Sequence, residues 1–463
     1  MKHNIFYKSI LFIAVPVLLQ SCFAAKEYTR PDMDNEALYR TDHLMADSIS
    51  MAEISWKDLF MDPLLQDHIE KALTNNLDIR IALKNIDAAQ AYLKQGRAGH
   101  YPTLDAAAIY SRAENSKNGR LGGGTAEQYE LSASLSWEAD IWGKIRSSAR
   151  ASNASYLQTV AAHQAIKTDL VAAIATTYLQ LMGLDKQRKV ITEAVEARRS
   201  SLETTIALKG AGQVTEVAVK QTEAQLYTTE VILIDIDTDI KLLENTFSIL
   251  LGESVQEIHR NSLDQQQLDI PLSTGVPADL LTNRPDVLEA EFGLINAFEL
   301  TNVARSNFYP SLRLTASGGF QSLELDNWLD AGSLFSSLAA SLAQPLLNGR
   351  KIRTQHEVSK ARQEQALLNY KKTLLIAGKE VSDALYSYGA ESNKIGMREK
   401  ELQANTLAET YSEQLLNNGM ANYLEVLTAR QNALNSELNL ISAQLGQMNA
   451  VIALYEALGG GWR

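Results

Sequence analysis

Seven histidines and 55 acidic side chains are the usual raw material of metal and acid–base sites. Their spacing assembles neither. His3, His43, His68, His100, His163, His259 and His356 stand far apart, with no pair three or four positions apart on a helix. No zinc site is indicated. No Gly-x-Ser-x-Gly, no Walker A loop and no Gly-x-Gly-x-x-Gly occurs. Gly122, Gly123 and Gly124 form a glycine run, but no Lys-Ser/Thr follows it and it joins two strand-like stretches, so it reads as a flexible loop. The carboxylates lie on long amphipathic stretches, where a solvated face accounts for them. The expectation is a protein that is not an enzyme and holds no cofactor or metal. One thiol, Cys22, is the exception.

Lys2 and Lys8 precede an apolar core, Ile10 to Leu19, the pattern of a secretory signal over residues 1–21. Cys22 follows at once. The run Leu18-Leu19-Gln20-Ser21-Cys22 resembles a bacterial lipobox, with Gln20 off-pattern. The chemistry implied is cleavage before Cys22 and attachment of a diacylglycerol and acyl lipid to it. The competing reading is a plain signal peptide with an incidental cysteine. Phe23, rather than Asp, follows the cysteine, which does not point to inner-membrane retention. Several acyl chains hold a protein to a bilayer far more firmly than one.

The chain has 463 residues and a net charge of −12. Losing the two lysines of the leader leaves 41 basic against 55 acidic residues, or −14. An acidic chain of this kind is a poor partner for a phosphate backbone, so nucleic acid is excluded as the main ligand. Beyond the leader no stretch of eighteen apolar residues occurs, so no membrane-spanning helix is expected.

The elements that must position any function come in two copies. Residues 22–62 read as an aperiodic tether. A first repeat, 63–270, opens with a helical region at Asp62-Pro63, where Pro suits the first helical position. It runs to about Gly96 and stops at Tyr101-Pro102. A β-hairpin follows at about 103–142. Its return strand alternates strictly: Tyr129, Leu131, Ala133, Leu135 and Trp137 against Glu130, Ser132, Ser134, Ser136 and Glu138. Period two gives one apolar and one polar face, fitting either a half-buried soluble strand or a membrane barrel strand. A helical hairpin spans 145–251. Its first arm contains no proline, and about 65 residues at 1.5 Å each would run near 100 Å. Gly210-Ala211-Gly212 makes the turn, and Leu233, Ile236, Ile240, Leu243, Phe247 and Leu250 keep coiled-coil spacing.

The second repeat, 271–463, has the same parts: a helix near Arg284-Pro285-Asp286, a β-hairpin at about 311–345 and a helical hairpin over 350–458 turning at Gly419. Tyr101-Pro102 and Tyr309-Pro310, Gly143 and Gly349, and Gly212 and Gly419 are offset by 208, 206 and 207 positions. Three landmarks agreeing this closely point to an internal duplication. Each half supplies two strands, and four cannot close a membrane barrel, nor can an open edge sit in lipid. Several chains would have to share one barrel: two copies give eight strands, three give twelve.

The segments WKDLFMDPLL at Trp56, SASLSWEADIWGKIR at Ser132, GVPADLLTNRPDV at Gly275, TNVARSNFYP at Thr301, AQPLLNGRKIR at Ala343 and LYEALGGGW at Leu454 occur in order across nearly the whole chain. Together they closely resemble the TolC-like outer-membrane efflux factors, in the lipoprotein branch serving resistance-nodulation-division pumps. The resemblance implies a mixed α/β homotrimer in the outer membrane. Its twelve-stranded β-barrel is shared by three protomers, four strands each, and a long α-helical coiled-coil barrel lies in the periplasm. The closed periplasmic end docks an adaptor (membrane fusion) protein linked to an inner-membrane pump. Tyr129, Leu131, Leu135 and Trp137 would then face lipid. Adaptor contact and gate would fall on the helix turns, at Gly210, Gly212, Gln213, Thr215, Glu216, Asn417, Asn418, Gly419, Ala421, Asn422, Tyr423 and Glu425. Family members often carry an acidic residue where Ala421 stands, which leaves Glu216, Glu425 and Arg430 as the charges for a gate network.

The function implied is passive conduction of small molecules (drugs, toxic compounds or metal ions) out of the cell. Two alternatives stay open: a lipid-anchored periplasmic coiled-coil scaffold, and a duct for type I protein secretion. The exported substrate is not legible.

Overall fold

The computed structural model describes residues 25–32, 50–118, 122–266 and 280–463. Cys22, the leader and residues 33–49 of the expected tether lie outside the described residues. In order come α1 (Trp56–Leu59), α2 (Pro63–Asn75), α3 (Leu77–Ala98), β1 (Thr103–Asn115), β2 (Gly124–Ala139), α4 (Lys144–Gly210) and α5 (Glu216–Leu251). Then follow α6 (Leu280–Asn283), α7 (Pro285–Ser306), β3 (Ser311–Ser322), β4 (Leu334–Ala343), α8 (Lys351–Asn417) and α9 (Tyr423–Ala457). The order helix, strand, strand, long helix, shorter helix thus occurs twice, and α4 and α8 are both 67 residues long.

Two compact units emerge, and each takes segments from both halves of the chain. Of the described residues, the first comprises 25–32, 86–118, 122–159 and 290–370, and it holds the sheet. The second comprises 50–85, 160–266, 280–289 and 371–463, and it holds both helix turns.

In the first unit the strands order β1-β2-β3-β4, all antiparallel. Residues 25–32 form neither helix nor strand, yet they are fastened. The Lys26 amide donates to Asn302 Oδ1 (3.1 Å) while Asn302 Nδ2 donates back to the Lys26 carbonyl (2.9 Å). Arg30 grips Glu291 with both arms of its fork, each at 2.6 Å.

In the second unit α2 packs on α5, with the ring of His68 edge-on to Phe247 at 5.1 Å. Ile174, Tyr178, Leu181, Met182 and Phe247 of this unit are fully buried. Asp62 caps α2 by accepting from the Leu64 amide (2.9 Å), and Pro63 takes the first helical position. The same carboxylate accepts from Tyr178, Asn261 and Gln266, so it also pins the chain that follows α5.

Two expectations need correction. Residues 50–62 are not an aperiodic tether: Ser50 and Ser55 cap two short helical turns, Met51–Glu53 and α1, which bury Met51, Ala52, Trp56, Leu59 and Phe60. The helical region from Pro63 to Gly96 is two helices, broken at Asn76. Asn76 Oδ1 accepts from the amides of Asp78 and Ile79 (2.9 and 3.2 Å), the role of an N-cap, while Nδ2 donates to the Leu250 carbonyl at the end of α5. The break is a local cap whose side chain is also tied to another helix, which apolar spacing along one segment does not reveal.

Candidate functional site

Strand register carries the first half of the site. Across β1 and β2, Leu104 faces Leu135, Ala106 faces Ala133, Ala108 faces Leu131 and Tyr110 faces Tyr129. Across β2 and β3, Leu131 faces Phe320, Leu135 faces Ala316 and Trp137 faces Leu314. Across β3 and β4, Leu312 faces Leu342, Ala316 faces Leu338 and Phe320 faces Leu334. Directly opposed residues share a face. Tyr129, Leu131, Leu135 and Trp137 therefore belong to one apolar surface that crosses all four strands. Leu338 is 83 % exposed there, so no part of the first unit covers it. The reverse face carries Ser132, Ser134, Ser136, Arg313, Thr315, Ser317, Ser337 and Ser341.

Aromatics bound that surface at both ends. Toward the hairpin loops the ring of Tyr129 lies 5.0 Å from Tyr110 and 6.1 Å from Trp328. At the other end Trp142 stacks on Tyr309 at 4.7 Å, and the indole N–H groups of Trp137 and Trp142 donate to the carbonyls of His100 and Pro310. From Tyr129 to Trp137 is about 27 Å at strand rise. An outer-membrane barrel shows an apolar band about 25 Å tall between aromatic girdles.

The helix turns form the second half. Gly212 and Gly419 have φ of +76° and +71°, the left-handed region where a side chain is strained. Around each the same pair of bonds closes the helix. The Gln213 amide reaches Leu208 and that of Gly212 reaches Lys209; the Met420 amide reaches Leu415 and that of Gly419 reaches Leu416. Three residues past each glycine, Thr215 and Asn422 cap the next helix, accepting from the amides of Ala218 (3.4 Å) and Glu425 (3.0 Å). Gly210 needs no such freedom, since it ends α4 in helical backbone with open space around it.

The charges at the turns are spent locally. Glu216 pairs with Lys209, which holds its carboxyl below the usual range. Glu425 accepts from Asn422 Nδ2 at 2.8 Å. Arg430 takes Glu413 at 2.6 Å and Glu409 at 3.8 Å. Gln213 is exposed and Ala421 half-buried, Asn418 donates to the Gln414 carbonyl (2.7 Å), and Asn417 ends α8. Glu216, Glu425 and Arg430 thus do not join into one network within the protomer.

The bonds that join one hairpin to the other are uncharged at the acceptor end, and sequence spacing passed over them. The Tyr423 hydroxyl lies 2.8 Å from Ser201 Oγ and 3.0 Å from Thr222 Oγ1. Arg198 donates to the Gln225 carbonyl (2.9 Å), Thr229 Oγ1 (2.5 Å) and Gln431 Oε1 (2.8 Å). A signal existed. Ile191, Val195, Arg198 and Thr205 keep seam spacing on α4, as Val219, Thr222, Leu226 and Thr229 do on α5, so polar residues sit where a seam wants apolar ones.

Among the described residues no group of three or more His, Cys, Asp or Glu could hold a metal ion. No helix among them is long and apolar enough to cross a membrane.

Comparison with known proteins agrees with this geometry. The family model described as outer membrane efflux protein matches twice, over residues 68–253 and 276–460. The solvent efflux pump outer membrane protein SrpC of Pseudomonas putida is 30 % identical over 477 residues, covering 98 % of each chain. The cation efflux system protein CusC of Escherichia coli O6:H1 is 26 % identical over 98 % of this chain and 99 % of its own. Among solved structures, the open state of the Neisseria gonorrhoeae MtrE outer membrane channel superposes with a TM-score of 0.84 at 26 % identity, over 95 % of this chain and 98 % of that one. The chain therefore belongs to the outer membrane efflux protein family, adopting its TolC-like fold and sharing its outer-membrane location and its role in efflux.

Proposed function

We propose that three copies of this chain assemble into one duct, each giving four strands to a twelve-stranded barrel and four long helices to a periplasmic tunnel. The carrying observation is the sheet: one predominantly apolar face and, among the described residues, two strands, β1 and β4, each with an unpaired edge. An unpaired edge in hydrocarbon leaves backbone groups without partners, and pairing β4 of one copy with β1 of the next removes every edge. Tyr129, Leu131, Leu135 and Trp137 then face lipid, and the serine-rich face lines water.

The helix turns with Gly212 and Gly419 form the periplasmic end. There Gln213, Thr215, Asn418, Ala421, Asn422 and Glu425 meet an adaptor protein, which connects to an inner-membrane RND pump. Cys22 carries the lipid that anchors the chain. The duct is passive and passes small molecules, with energy supplied by the pump. Relatives named for solvent and cation efflux support export over a scaffolding role. The family model's double match and the equal geometry of the two turns support an internal duplication of the chain.

A heat-modifiable gel shift with sizing of the detergent-extracted protein tests this. The expected result is an outer-membrane oligomer near three times the protomer mass. A monomer or dimer released without detergent once Cys22→Ser is made would overturn the duct.

A further inference from the structure

Arg198 is buried, at 6 % exposure, on the seam of α4. A guanidinium is always charged, and taking it out of water is costly unless a counter-ion goes with it. None does among the described residues: its acceptors there are a carbonyl, a hydroxyl and a carboxamide. Burial holds its affinity for the proton below the usual arginine range, and the neighbouring Arg430 lowers it further. Arg430 has carboxylates of its own in Glu413 and Glu409. The three acceptors of Arg198 come from α5 and α9, so one side chain on α4 joins both helical hairpins of the second unit. Tyr423 makes a second rung of the same kind with Ser201 and Thr222.

We propose that Arg198 is a positioning residue that registers the second helical hairpin on the first and sets the balance between the closed and open periplasmic end. Its two properties act in opposite directions. The fork of hydrogen bonds holds the hairpins together. The unpaired charge favours separation, because parting the hairpins returns the guanidinium to water. Arginine's planar fork satisfies three acceptors at once, which a lysine ammonium on a flexible stem cannot reproduce. Lysine at this position would keep the load and lose the fork. Methionine would lose both and let the seam close on apolar contacts.

This rests on the duct reading, and the test separates the two. Purified wild type, R198K, R198M and Q431E are compared as oligomers on gels and as single channels in planar bilayers. R198K is expected to raise the open probability several-fold, and R198M to leave it at or below the wild-type level. Q431E, which gives Arg198 a carboxylate, is expected to lower it. A residue with only a packing role would make R198K and R198M behave alike. An oligomer in which R198K conducts like the wild type, or in which R198K and R198M open equally, overturns the proposal alone. If R198K does not assemble, Q431E decides: lowered opening supports the proposal, and unchanged opening overturns it. Absence of any wild-type oligomer overturns the duct reading and this proposal with it.

Discussion

At the start of α7, Arg284 donates to Asp286 (2.7 Å), to Glu380 of α8 (2.7 Å) and to the Ala457 carbonyl of α9 (2.9 Å). Asp169 of α4 and Glu456 of α9 stand by this cluster with no ion pair of their own among the described residues. Burial, then Asp169 and Glu380, pushes the Glu456 carboxyl up to about 7, and Asp169 is raised for the same first reason. A carboxyl raised by folding binds its proton more tightly in the folded chain than in the unfolded one. Stability is therefore undiminished below the ordinary carboxyl range and falls as pH climbs from about 4.5 to about 7. The melting temperature of the wild type is expected to drop between about pH 5 and about pH 8, and Glu456→Gln should remove much of that drop while matching the wild type at the acid end. Equal pH dependence in both proteins would acquit Glu456. Little of this was legible in the sequence. Arg284-Pro285-Asp286 marks a helix start, and Glu456 looks like any charge on an amphipathic helix, because its neighbours come from three other helices.

The strands were the most legible elements, since period-two alternation is written residue by residue from Tyr129 to Glu138. Register was not legible, because it depends on which strand lies opposite. That register places Leu338 and Ala339, adjacent in β4, on opposite faces: Leu338 beside Ala316 in the apolar band, Ala339 beside Thr315 on the serine-rich side. A lysine facing lipid costs about 2–4 kcal/mol at mid-bilayer, while a lumen-facing one is tolerated. Leu338→Lys is thus expected to deplete the heat-modifiable oligomer in the outer membrane, and Ala339→Lys to leave its amount near wild type. Equal depletion by both would show that the two faces do not differ in solvent. The long helices were legible from proline-free runs and glycine turns. The break at Asn76 was not, because apolar spacing runs across it and its tie to the distant Leu250 carbonyl is not written in the segment.

The two units differ in what holds them together, and that difference governs how the whole molecule responds to dissociation. The second unit buries Tyr178, Phe247, Ile174, Leu181 and Tyr455 within a single chain. The sheet of the first unit has no comparable cover: Leu104, Leu334, Leu338 and Leu342 are all more than 60 % exposed, and β1 and β4 each keep one side of the backbone unpaired. Local stability follows buried apolar contact and shielded hydrogen bonds, so these regions should part company once neighbouring copies and lipid are removed. Hydrogen exchange on protomers dissociated in mild denaturant is the direct measurement. Amides of β1 and β4 are expected to be protected in the oligomer and to exchange rapidly in the protomer. Amides of α4 around Tyr178 and of α5 around Phe247 should stay protected in both. Strands equally protected in both states would mean that a single chain closes its own sheet, and the argument for a shared barrel would lose its physical basis.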